Sequence, residues 1–269
     1  MVATVAVKLK RIPRVKNKVK CNLGKLKDKD SYSSLVVSRW LLPAIPSSTF
    51  DDQFDFRPTG STTCALTCLL HHVTRMLEQC SYVRCIMIDF SKAFDRVNHP
   101  ILFGKLPALG LPDSAISWIY SFLTGRTQVV KCNDKVSLHA HINTSIVQGS
   151  GIGPMLYAVM ESDLRTLSPK NIVIKYADDT NVLVPADSDL GLLQEFNHVK
   201  QWAEDNKMVI NLLKTKEIVF RRPNPRLHIS PLPFPGVQQV SSAVLLGVTL
   251  CDTLILSFTV HVENMFKNL

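Results

Sequence analysis

The 269-residue sequence has no CxxC pair, no uninterrupted apolar run of bilayer length, no internal repeat, and almost no acid in its first thirty residues. The seven cysteines, Cys21, Cys64, Cys68, Cys80, Cys85, Cys132 and Cys251, are odd in number and lack the spacing of a zinc ribbon or a redox motif. No secretory signal accompanies them, so they are read as reduced thiols of an intracellular protein, with nucleus or cytoplasm left open. Cys64 and Cys68 with His71 or His72 have a spacing that suits one helix face and zinc, but no second ligand pair follows. They are read as small core residues. The longest apolar candidate, Val240 to Val260, is interrupted by Ser241, Ser242, Gly247 and Asp252. Such interruptions suit strands and turns, and the expectation is no membrane partner. With 46% hydrophobic and 20% charged residues and a mean hydropathy of +0.10, collagen-like, coiled-coil and acidic-tail classes are excluded.

Charge is unevenly spread. The formal net charge is +9, and residues 1–30 hold ten Lys and Arg against Asp28 and Asp30, leaving the remainder near neutral. A basic stretch such as Lys8 to Lys20 attracts phosphate backbones without reading their sequence, or is simply a solvated terminus.

Periodicity then orders the chain. A short apolar helix is expected over Leu35 to Leu42, stopped by Pro43 and Pro46. Ser61 is placed to cap a helix carrying Ala65, Leu66, Leu69, Leu70, Val73 and Leu77 on one stripe and ending near Cys80. Val83 to Ile88 reads as a central strand ending in Asp89. Asp113 is expected to cap a helix closed by Gly125. Gln128–Cys132 and Val136–Ile142 read as a hairpin. The Gly-rich turn from Gln148 to Pro154 leads into a helix running from Met155 to about Leu164. Two strands, Ile172 to Tyr176 and Thr180 to Val184, leave Ala177, Asp178 and Asp179 at their tip. A long amphipathic helix follows through Leu192 and Ala203, then a strand at Ile218 to Phe220, and Pro223 to Pro235 reads as a loop. This order predicts an α+β domain with helices on one face of an antiparallel sheet.

Asp89, Asp178 and Asp179 all stand at ends of predicted core strands, where one sheet can bring them together. Clustered carboxylates repel one another unless cations hold them. Hard oxygen donors select Mg²⁺ or Mn²⁺, and paired ions of this kind activate an attacking oxygen and stabilise a leaving phosphate. Taken alone, an Asp-Asp pair is as well explained by a turn.

Five ordered motifs remove that ambiguity. Ile88 to His99, Gln148-Gly149-Ser150 with Gly153-Pro154, Tyr176-Ala177-Asp178-Asp179-Thr180, Asn211 to Lys216 and Leu246-Gly247-Val248 resemble the reverse transcriptases of non-LTR (LINE-type) retrotransposons. Phe54 to Thr62 resembles the segment preceding the first catalytic aspartate there. The resemblance runs from about Leu35 to about Leu250 and implies a polymerase palm with partial fingers. It implies Asp89, Asp178 and Asp179 as catalytic metal ligands, and Phe90, Phe94, Gln148, Gly149, Lys214 and Arg57 as substrate-binding residues. Phe94 would exclude a ribose 2′-OH, a role compatible with core packing, and Lys214 would assist pyrophosphate departure. Leu246 and Gly247 would form the primer grip. The implied partners are an RNA template, a DNA primer and dNTPs; oligomeric state is left open.

The sequence also departs from the family. The earlier fingers block is not recognisable in residues 1–34, only about nineteen residues follow the primer-grip motif, too few for a helical thumb, and no endonuclease domain is present. The expected organisation is a basic tail (1–34), fingers and palm (35–250) and a truncated remnant (251–269), as in a fragment of an element's polymerase. The expected function is RNA-directed DNA synthesis from a primer 3′-OH. The rivals are a catalytically inactive nucleic-acid-binding remnant and a metal-dependent nuclease using the same acids. RNA-templated RNA synthesis is disfavoured by Ala177 before the acid pair and by Phe94.

Overall fold

A computed structural model describes residues 18–20, by backbone alone, and residues 34–57, 59–132, 135–147, 149–222 and 231–253. The main elements are β1 (Lys18–Lys20), α1 (Thr62–Gln79), β2 (Tyr82–Ile88), α2 (His99–Lys105), α3 (Asp113–Leu123), β3 (Thr127–Cys132), β4 (Lys135–Val136), β5 (Ala140–His141), α4 (Gly153–Glu161), β6 (Ile172–Tyr176), β7 (Asp179–Pro185), α5 (Leu192–Asp205), β8 (Lys216–Arg221), β9 (Gln238–Val240), β10 (Ser242–Leu245) and β11 (Val248–Cys251). They fall into two units, residues 1–49 with 94–163, and residues 50–93 with 164–269.

In the second unit, a five-stranded sheet has the order β6-β7-β2-β8-β9, antiparallel apart from the β8–β9 pair. β2 is internal, and all of its residues but Met87 are buried. That is why it reads as an apolar run broken by Arg84 alone and not as an alternation. α1 starts where expected: the Ser61 hydroxyl accepts a hydrogen bond from the Cys64 amide at 3.1 Å, satisfying one of the free donors of the first turn. Its Leu69, Val73 and Leu77 meet Val83, Cys85, Ile174, Leu183, Ile218 and Phe220 in one apolar cluster. Each such side chain taken out of water contributes on the order of 1.5–3 kcal/mol. Leu245 and Leu250, from the β10–β11 hairpin, complete this core.

Arg84, in the middle of β2, is only 5% exposed and Glu217 on β8 is fully buried. The Arg84 guanidinium pairs with the Glu217 carboxylate, and its Nε lies 2.7 Å from Asp189. The Tyr82 hydroxyl donates to Asp189 at 2.6 Å. Burial and this acceptor push the Tyr82 phenol up to about 12.

In the first unit, β3 pairs with β1, β4 and β5. Helix α4 is buried at every residue but Pro154, with Tyr157 donating to the equally buried Glu161 at 2.6 Å.

Several local expectations are corrected. Pro43 does not stop its helix: a π-turn at Val37–Leu41 continues into Leu42–Ala44, which contains Pro43. Termination falls to Ile45, extended ahead of Pro46, as the residue before proline must be. Pro112 takes the position before α3, leaving Asp113 inside the helix. The second limb of the expected hairpin is broken into β4 and β5. α4 ends at Glu161, short of Leu164. Asp179 belongs to β7, so the tip is two residues and not three. Cys64 is exposed and only Cys68 packs against the core. Residues 223–230 of the expected loop lie outside the described residues, and 231–235 carry no regular structure.

Candidate active site

The register of the second unit's sheet decides where the acids stand. Ile88 pairs with Thr180 across β2 and β7, so Asp89, one residue beyond Ile88, and Asp179, one residue before Thr180, lie at the same end of adjacent strands. Tyr176 pairs with Asp179 across β6 and β7, leaving Ala177 and Asp178 as the whole hairpin loop. Ala177 takes a left-handed φ of 51°.

A turn between α5 and β8 holds the Asp89 backbone. The Asn211 amide donates to the Asp89 carbonyl at 2.7 Å, and the Asp89 amide donates to the buried Thr215 hydroxyl at 3.3 Å. Phe90 is packed at 3% exposure, its ring 5.9 Å from Trp202. The same turn carries Lys214, whose Nζ reaches within 3.9 Å of the Asp89 carboxylate while remaining 69% exposed.

The acids lie within one another's field. Asp178 is raised above the usual carboxylate range, by burial first and then by Asp89 and Asp55, against the lowering effect of its own amide and of Lys214. Asp179 is raised by burial, then by Asp178 and Asp89. Asp55 therefore joins the acidic neighbourhood, and it had no role in the motif reading. The donor type suits a hard divalent cation. Among the described residues, however, no three His, Cys, Asp or Glu side chains are gathered tightly enough to enclose a metal ion. Asp89, Asp179 and Lys214 line a cleft of about 520 Å³ whose other side is formed by Gln238, Val244 and Leu245. Next to Leu245, Leu246 and Gly247 make the two-residue loop of the β10–β11 hairpin, with φ of 48° and 82°. Two successive positive φ values suit a I′-type turn, which favours glycine at the second place.

Other predicted residues have different surroundings. Arg57 is turned back onto its own loop, its Nη1 donating to the carbonyls of Phe50, Asp51 and Gln53 at 2.8 to 3.2 Å. Phe94 belongs to the first unit, half-buried in the short helix Ala93–Arg96, and stacks on Tyr157 with ring centroids 4.3 Å apart. Gly149 lies in the same unit, in the turn before α4. Gln148 is outside the described residues. Among the described residues, no helix is long and apolar enough to cross a membrane.

The residue that motif reading passed over is Gln53. Its buried side-chain amide meets both polar groups of the Ala177 backbone, accepting from the amide at 3.0 Å and donating to the carbonyl at 3.2 Å. Nothing in the local sequence marks it, because its partner is 124 positions away.

Comparison with known proteins agrees with the motifs. The RNA-directed DNA polymerase from mobile element jockey of Drosophila melanogaster is 29% identical over 255 residues, covering 91% of this chain and 27% of that protein. The probable RNA-directed DNA polymerase from transposon BS of the same fly is 28% identical over 231 residues, covering 81% and 25%. The chain thus spans about a quarter of the length of these curated relatives. Among solved structures, the telomerase of Candida tropicalis in complex with a TWJ fragment of telomeric RNA superposes with a TM-score of 0.57 at 12% identity, over 86% of this chain and 39% of that one. The apo enzyme truncated from its C-terminal domain gives 0.54 at 14% identity, over 86% and 48%. At these identities the likeness is one of fold, an α+β polymerase-like fold. The family model described as reverse transcriptase (RNA-dependent DNA polymerase) matches residues 32–250, and with the ordered motifs, the shared fold and the acids at one end of the sheet, the chain belongs to the reverse transcriptase family.

Proposed function

We propose that this chain extends a primer 3′-OH with dNTPs on an RNA template. The observation that carries the reading is the meeting of Asp89 with Asp178 and Asp179 at one sheet end, with Lys214 3.9 Å from Asp89. Asp89, Asp178 and Asp179 would hold Mg²⁺ or Mn²⁺. When bound, such ions supply charge neutralisation for the triphosphate and acidify the attacking hydroxyl. The chain's own contribution is to bring those carboxylates to one end of two adjacent strands and the loop between β6 and β7, against their mutual repulsion. Lys214, exposed and within Coulombic reach of Asp89, is placed to meet the phosphates and to balance negative charge as pyrophosphate departs. The cleft between the acids and the β10–β11 hairpin is assigned to the primer end, with Leu246 and Gly247 as its grip.

The test is primer extension on an RNA template with Mg²⁺ or Mn²⁺. Asp178→Asn, which removes a charge without changing shape, is expected to lower the rate by about a thousandfold or more, about 4 kcal/mol of transition-state stabilisation. Degradation of the primer in place of elongation would favour a nuclease. Nucleic-acid binding without metal-dependent extension would favour a silent remnant.

A further inference from the structure

We propose that Gln53 is a positioning residue that holds the acidic loop in its working conformation, a role resting on the polymerase reading above. The loop has two features that argue against its staying put. Ala177 occupies a left-handed φ of 51°, which an L-residue adopts only when its surroundings enforce it. The carboxylates it presents also share one sheet end with Asp89, and like charges so placed repel one another. A two-residue loop with no other constraint would relieve both by rotating the Ala177 peptide and swinging Asp178 away from Asp89.

Gln53 opposes that rotation directly. One side-chain amide satisfies the Ala177 amide and the Ala177 carbonyl together, at 3.0 and 3.2 Å. It therefore acts on the loop as a further backbone strand would. The same Oε1 accepts from the Asp55 amide at 3.1 Å. At 2% exposure, Gln53 has little water to exchange these bonds for, so their loss leaves Ala177's polar groups unpaired.

The clamp is itself anchored. Phe54 donates to the Lys175 carbonyl at 2.8 Å and the Lys175 amide donates to Asp52 at 2.7 Å, which sews the Gln53 backbone onto the edge of β6. The fully buried Lys175 ammonium lies 2.9 Å from the Asp52 carboxylate and donates to the Leu164 carbonyl at 2.8 Å. Arg57 gathers three carbonyls of the same segment. Gly60 closes it, where a Cβ would lie 2.1 Å from the Phe54 carbonyl oxygen. This frame is rigid enough to transmit position to Ala177.

Gln53→Met keeps the volume and removes the three hydrogen bonds, and Ala177→Gly removes the need to enforce the left-handed φ. Amide exchange of the 176–179 segment, read by mass spectrometry, is expected to speed up in Gln53→Met while exchange in α1 stays unchanged. In primer extension, Gln53→Met is expected to lower kcat by about tenfold to a hundredfold with KM for dNTP unchanged, the scale of a misplaced reacting group. In the Ala177→Gly background the same substitution should cost only about threefold, because coupled residues give non-additive losses. Unchanged exchange at the loop overturns the proposal. So does an equal loss of kcat in both backgrounds, or a loss that follows a fall in Tm, either of which makes Gln53 fold support alone. A wild-type chain that fails to extend primers overturns the polymerase reading and the role resting on it; an active wild type with an unaffected Gln53→Met overturns the role alone.

Discussion

Asp178 carries a charge that its surroundings disfavour. Its carboxyl is raised by burial, Asp89 and Asp55, so folding takes up proton affinity at this position, and its ionised form lowers stability at neutral pH. As pH falls through the raised folded value toward the ordinary one, protonation relieves the penalty. Asp178→Asn never bears it. The variant is expected to melt above the wild type at pH 7, with the difference shrinking as pH falls through the raised value and gone below about pH 4, as thermal unfolding across pH would measure. A lower Tm for the variant at pH 7 would mean that Asp178 supports the fold. The substitution expected to lower extension about a thousandfold is thus also expected to stabilise the apo chain, a combination that an ordinary turn aspartate does not produce.

Phe94 offers a second residue-scale test. Its ring is held by the stack on Tyr157, whose hydroxyl is tied to Glu161, so its orientation is set from below. Phe94→Val is expected to raise incorporation of rGTP relative to dGTP by about tenfold or more, since a single steric exclusion is worth about 1.4 kcal/mol or above. Competition of the two nucleotides in one extension reaction reads the ratio. Preserved activity with unchanged discrimination assigns Phe94 to packing alone.

At the scale of elements, β2 is fastened to β8 by charge as well as by backbone. Glu217→Gln removes one of the two carboxylates that meet Arg84, leaving Asp189, and is expected to cost about 1.5–3 kcal/mol, the scale of a lost charge-assisted hydrogen bond. Replacing the pair together, by Arg84→Met with Glu217→Leu, is expected to cost less than the two single losses added, because the central charge pair is removed whole and Asp189 keeps the Tyr82 hydroxyl as its donor. Denaturant unfolding of the single and double variants gives the comparison, and additive losses would show that shape and not charge matters here. The pair sits midway along the central strand, with Asp89 at its end. A loss at Glu217 should therefore reach activity through stability, with the activity of the folded fraction retained.

For the whole molecule, nearly all of the net +9 charge lies in residues 1–30, while the acids of the site lie in residues whose charges nearly balance. Template affinity and chemistry are accordingly expected to separate. Neutralising Lys8, Lys10, Arg11, Arg14 and Lys16 to glutamine keeps the Lys18–Lys20 strand that pairs with β3. Each phosphate that these cations no longer neutralise should flatten the log–log salt dependence of binding by about 0.9 on duplex and about 0.7 on single strands. The extension rate at saturating primer-template should stay unchanged. An unaltered salt slope would show these cations to be solvated and idle.

Much of what depended on neighbours within a few positions was readable from the sequence by itself. The Ser61 cap, the 3.6-residue stripe of α1 and the largely apolar β2 ending in Asp89 are set by short-range geometry and recur wherever those residues do. The family resemblance likewise rested on ordered local motifs. Tertiary structure decided what depended on partners far along the chain. That Asp89 stands beside Asp179 is a matter of β2–β7 register. That Arg84 is a buried cation and not a surface one depends on Glu217, 133 positions away, and Gln53 gains its meaning from Ala177, 124 positions away. Periodicity reports which face is buried, but it carries no information on which distant group is buried against it, and a site is made from such pairs.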